Sequence, residues 1–116
     1  MKTDLNYISS ICNGDHDIII EMIDLFSSQI REMALEMTLA DEKSDYNSLS
    51  KIVHKAKSTV AIMGMKPLAN RLQELELMAK EELQPESYKD HINYFITECE
   101  AGIKELTEYK NTVNKS

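Results

Sequence analysis

The sequence predicts an all-α protein, an antiparallel up-down-up-down four-helix bundle with a short N-terminal capping helix. Three observations carry that expectation. Four stretches of 17 or more residues repeat apolar side chains at steps of three and four, the period of a helix with one buried face. Turn signals fall between those stretches. Only three glycines and two prolines occur in 116 residues, too little punctuation for a many-stranded sheet. Short connections make consecutive helices antiparallel neighbours. Length and a hydrophobic content of 42% suit one domain with its own core, so residues 1–116 are read as a single bundle.

The first segment is short, Asp4 to Cys12, with Leu5, Ile8 and Ile11 or Cys12 at helical spacing. Asn13-Gly14 is a turn pair, and Asp15 suits an N-cap. The second segment, His16 to Leu39, carries Ile19, Ile23, Phe26, Ile30, Met33 and Met37 as one stripe. The polar residues from Ala40 to Ser44 are expected to close it. The third starts at Asp45, another N-cap, and runs to Met63 with Leu49, Val53, Ala56, Val60 and Met63 on one face. Gly64 ends it, and Pro67 suits the first turn of a fourth helix, Pro67 to Leu83, with Leu68, Leu72, Leu75 and Ala79. Pro85 interrupts. The fifth segment, Glu86 to Tyr109, carries Ile92, Phe95, Ile96, Cys99, Ile103 and Leu106.

Composition removes several function classes. Thirteen Lys and Arg against twenty Asp and Glu give a net charge of −7, which disfavours nucleic acid and anionic membrane as partners of the whole surface. No apolar run approaches the ~20 residues of a membrane helix, and no signal-peptide core follows the first residues. Cys12 and Cys99 form neither a metal spacing nor a CxxC pair; reduced, partly buried thiols in a cytoplasmic protein are expected, with a lone disulfide between them as the alternative. A monomer is the expected state, since one bundle can bury its own stripes.

His54 stands apart. With about 100° per residue it lies about 140° from Leu49 and away from the core direction. Ser50 and Ser58 flank it one turn away on either side, and Ala61 follows, so its ring is expected to be exposed among small side chains. Lys51, Lys55 and Lys57 make a local positive patch on an acidic chain. Ile62 and Met65 are apolar and expected to face outward beyond it. Together these features describe a reactive group offered to a large anionic partner. His16 and His91 lack such surroundings and read as ordinary surface histidines.

The run from Asp45 through Val53-His54-Lys55-Ala56-Lys57-Ser58, Gly64, Leu68 and Leu72 to Leu75-Glu76 resembles the histidine-containing phosphotransfer (HPt) domain family. That family carries an aspartate about nine residues before its histidine, a lysine three after, then a small residue, a glycine ten after, and a leucine-spaced helix ending in Leu-Glu. Phe26 falls where the family keeps an aromatic. Two positions depart from the pattern: Ala56 stands where leucine is usual, and Ser58 where glycine is most frequent.

The resemblance implies a phosphocarrier that takes a phosphoryl group from an aspartyl phosphate on a receiver domain, holds it on His54 and passes it to another receiver. A neutral imidazole needs no extra base for this, only one tautomer with Nε2 free. By the resemblance, Glu76 holds Nδ1–H from the neighbouring helix. Lys57, one helical row from His54, suits phosphoryl oxygens. Lys51 and Lys55 suit steering of an acidic receiver, and Ser58 and Ala61 leave room for its loop. Gly64 is expected to permit close helix packing. Ile62, Met65, Ile18 and Leu25 are candidate docking residues. Response-regulator receivers and a hybrid histidine kinase are the implied partners, with magnesium supplied by the receiver and no cofactor or metal on this chain. No Gly-rich phosphate loop is present, so an enzyme with its own ATP site is not expected. The alternative is a helical adaptor that binds a receiver or kinase without accepting phosphate.

Overall fold

The computed structural model describes residues 2–114. Among them are five α-helices and no strand: α1 (Leu5–Ile11), α2 (His16–Glu42), α3 (Tyr46–Ile62), α4 (Lys66–Lys80) and α5 (Tyr88–Asn114), with a single 3₁₀ turn at Pro85–Ser87. The helices α2 to α5 form the antiparallel bundle, a rod of 49 × 20 × 20 Å, and α1 closes one end.

The four stripes meet as one core. Ile19, Ile23, Phe26, Ile30, Met33 and Met37 of α2 are buried, as are Leu49, Val53, Ala56 and Val60 of α3. Leu68, Leu72, Leu75 and Ala79 of α4 join Ile92, Phe95, Cys99 and Leu106 of α5. In α1, Ile8 turns inward while Ile11 stays exposed, and the C-cap residue Cys12 is buried. Cys12 and Cys99 are unpaired thiols, and burial pushes Cys99 up to about 12, which leaves it unreactive.

Three aspartates start three helices, because an orphan N–H of the first turn needs an acceptor. Asp4 accepts from Tyr7 N–H at 3.0 Å, Asp15 from Asp17 N–H at 3.0 Å, and Asp45 from Ser48 N–H at 3.2 Å. Four helix ends differ from the sequence expectation by two residues or more. The second helix continues through Glu42, because polar residues do not stop a helix whose carbonyls still find partners. Its stop comes at Ser44, with φ +54°, which lets Asp45 N–H reach the Ala40 carbonyl. The fourth helix ends at Lys80 rather than Leu83, where Glu82 turns left-handed and Leu83 N–H returns to the Met78 carbonyl. The fifth begins at Tyr88 and continues past Tyr109 to Asn114. Tyr88 is fully buried, edge-on to Tyr46, and its hydroxyl lies 2.7 Å from the Met78 carbonyl and 2.6 Å from that of Leu83. One side chain thereby ties the end of α4 to the starts of α3 and α5.

At the other end the chain before α1 is strapped down. The N–H groups of Lys2 and Thr3 and the Thr3 hydroxyl all donate to the Glu105 carboxylate. Asp4 N–H then donates to the Met63 carbonyl at 3.0 Å. Gly64 sits beneath this strap with φ +81°, and a Cβ there would come within 2.8 Å of the Asp4 nitrogen. Its close neighbour is thus the N-terminal strap, not a packed helix as the sequence suggested. The left-handed turn also re-aims the next residue. Met65 is 2% exposed, set against Gly102 of α5, which corrects the expectation that it faces outward for docking. The helical wheel of α3 does not extend through a residue with positive φ.

Gly64→Ala should therefore destabilise the fold by about 2–3 kcal/mol, from left-handed strain and the clash with the strap together. Urea unfolding checks this, and an unchanged midpoint would contradict the packing described.

Candidate functional site

The site lies where α3 and α4 run side by side. His54 projects from α3 with its side chain 65% exposed. Glu76 comes from α4, is 8% exposed, and meets the ring of His54 with both oxygens, 3.0 and 3.2 Å from Nδ1. Lys57, one turn along α3, donates to Glu76 Oε1 at 3.0 Å and to Gln73 Oε1. A carboxylate this enclosed needs such partners.

The electrostatics decide the proton. Burial pushes the Glu76 carboxyl up, but the hydrogen bonds from Lys57 and His54 outweigh it and hold Glu76 below the ordinary glutamate value. An ionised carboxylate only accepts, so Nδ1 must carry the hydrogen it shares with Glu76. In the neutral ring Nε2 then keeps its lone pair and faces outward. The arrangement presents an oriented nitrogen nucleophile without an additional base.

The remaining sequence candidates divide. Lys51, Lys55, Ser58 and Ala61 are exposed on α3 near His54, and Ile62 is 38% exposed at the end of the same helix. Ile18 and Leu25 are exposed on α2, the helix packed beside α3. Ala56 is fully buried beneath the site. Gly64 is half-buried under the strap and Met65 is buried, so neither joins this surface. The other histidines have local partners: His16 Nδ1 lies 3.1 Å from the Tyr109 hydroxyl, and His91 Nδ1 accepts from Arg71 Nε at 3.2 Å.

A cavity of about 340 Å³ opens beside the ring, lined by Ser50, Lys51, His54, Glu76 and Lys80. Two of the residues around Glu76 escaped the sequence reading. Gln73 and Lys80 stand three before and four after Glu76, hence on its face of α4. That spacing was the available signal.

A family model described as Hpt domain matches residues 21–109, from the first turns of α2 into α5 and across the whole of this site. The chain belongs to the Hpt domain family. Neither the curated proteins nor the solved structures give a match. The helical bundle is the fold of Hpt domains, and histidine phosphotransfer in two-component signalling is the activity the family suggests. The strap and α1 lie outside the matched span. No helix of the described residues is long and apolar enough to cross a membrane.

The depressed Glu76 value has a testable sign. The folded protein binds fewer protons at this site than the unfolded chain, so the resulting stabilisation is present above the ordinary value of 4.5 and is lost as pH falls through the folded value. Glu76→Gln should flatten the acid limb of the stability profile. Lys57→Met should move the Glu76 carboxyl titration upward, read by carbon NMR of the side chain. A titration unmoved by Lys57→Met would contradict the pairing.

Proposed function

We propose that this Hpt domain is a histidine phosphocarrier of a multistep two-component relay, with His54 as the phosphoacceptor. The observation that carries the reading is the exposed ring of His54 with its Nδ1 held by an ionised carboxylate. The Nε2 lone pair attacks the phosphorus of an aspartyl phosphate on a receiver domain. The Nε2–P bond forms, the P–O bond to the receiver breaks, and the aspartate leaves as a carboxylate. The ring becomes a phosphoimidazolium, whose positive charge Glu76 stabilises through Nδ1–H. Transfer to a second receiver reverses these steps. Glu76 is a positioning residue, and Lys57 adds positive charge beside the ring while holding Glu76 in place.

The receiver's footing would be the exposed strip of α3 formed by Lys51, Lys55, Ser58, Ala61 and Ile62, with Ile18 and Leu25 of α2 beside it. Lysines there match the acidic phosphorylation site of a receiver, raising encounter rates more than final affinity. Ser58 is small enough for a loop to pass over it. Magnesium for the transfer belongs on the receiver, and the phosphoryl group must arrive from another phosphoprotein, such as the receiver of a hybrid kinase. The domain is read as a cytoplasmic monomer comprising the whole bundle.

Incubation with a panel of phosphorylated receiver domains tests the reading. The expected result is an acid-labile gain of one phosphoryl group on wild type and none on His54→Gln; a label that survives that substitution would overturn it. Lys57→Ala should slow transfer roughly tenfold or more while leaving the circular dichroism spectrum unchanged. Ser58→Leu should block transfer from a receiver, and transfer at the wild-type rate would remove the docking strip from the account.

A further inference from the structure

We propose that Lys80 is a second phosphoryl-facing cation, which holds the oxyanions of phosphorylated His54 in the cavity on the side of the ring away from Lys57. The inference rests on the phosphocarrier reading and extends it to a residue that the sequence did not single out.

A phosphoryl group on nitrogen brings up to two negative charges at neutral pH. Lys57 cannot balance them alone, because its ammonium lies 3.0 Å from Glu76 and also donates to Gln73. The Lys57–Glu76 pair is neutral as a unit, so with the phosphorylated ring cationic the site keeps one uncompensated negative charge. Among the described residues, Lys51 and Lys80 make no such ion pair, and both line the cavity that His54 and Glu76 share.

Helix geometry puts these groups on one side. Ser50 and Lys51 precede His54 on α3, whereas Lys57 follows it. The neighbouring helix α4 runs antiparallel, so Lys80, beyond Glu76, lies level with Ser50, and Gln73, before Glu76, lies level with Lys57. The ring therefore has an occupied flank of Lys57 and Gln73 and an open flank of Ser50, Lys51 and Lys80. The small Ser50 side chain turns back to donate to the Asn47 carbonyl at 2.9 Å and leaves the open flank clear.

Lys80 is better placed than Lys51 to act on the phosphoryl group. It stands one turn from Glu76, in the last turn of α4, where a cation suits the helix dipole. Tyr88 bonds the Met78 and Leu83 carbonyls on either side of it, which fixes the backbone that carries it. Lys51 lies on the exposed strip of α3, where a receiver would sit.

Phosphoramidate, a small phosphoryl donor, tests the proposal without any receiver. Wild type, Lys80→Met and Lys80→Arg are labelled at His54, and the phosphoryl group is titrated by phosphorus NMR. Lys80→Met should slow labelling roughly fivefold and raise the phosphoryl titration midpoint by about half a unit or more, and Lys80→Arg should restore both. High salt should shrink the difference. An unchanged midpoint in Lys80→Met, whether or not labelling slows, would overturn the proposal while leaving the phosphocarrier reading intact. A wild-type domain that is labelled neither by phosphoramidate nor by any receiver would instead overturn the reading beneath it.

Discussion

The site depends on one enclosed carboxylate. Glu76 sits at the seam of α3 and α4, where ionisation would be costly without partners. Lys57 and His54 both come from α3, one helical turn apart, and both reach it. The same contacts that make its burial tolerable also settle the chemistry of the ring. They put a hydrogen on Nδ1, leave Nε2 as the outward nitrogen, and keep one ammonium beside the ring. The packing that sustains them is ordinary: the stripes of α3 and α4 bury Val53, Ala56, Leu72 and Leu75, and the Gly64 turn reverses the chain so that residues 22 positions apart meet.

Much of this was legible in the sequence, and the reason is the helical period. A wheel drawn on one helix gives the direction of every side chain relative to the core, so the buried stripes of α2, α3 and α4 and the outward direction of His54 follow from spacing alone. What the wheel omits is the register between two helices. Nothing in the local spacing says that residue 76 lies opposite residue 54, and Glu76 entered only through family resemblance. The Gln73 bond to Lys57 and the placement of Lys80 are likewise facts of register. The wheel fails in a second way at Met65, where the left-handed Gly64 breaks the helical phase and turns an expected surface residue into the core. Helix ends are less legible, because stops such as Ser44 and Glu82 are made by positive φ at residues with no special sequence signal.

The charge distribution is uneven. The chain carries −7 overall, yet Lys51 and Lys80 line the cavity beside His54, and Lys57 shares Glu76 with its ring. Away from the site, charged pairs such as Lys110 with Asp24 and Lys2 with Glu98 tie helices and the strap at the surface, where each contributes modestly and weakens in salt. The two sets respond differently to ionic strength. Screening costs the outlying pairs a little stability; at the lysines near His54 the proposed function makes it act on encounter and transfer.

The regiochemistry of the phosphorylated ring tests the central claim most directly. With the histidines labelled in nitrogen-15 and His54 phosphorylated, phosphorus–nitrogen NMR identifies the bonded atom. Phosphorus is expected on Nε2, with Nδ1 still protonated toward Glu76. A phosphoryl group on Nδ1 would contradict it, because that nitrogen could not then hold the carboxylate on which the site is built.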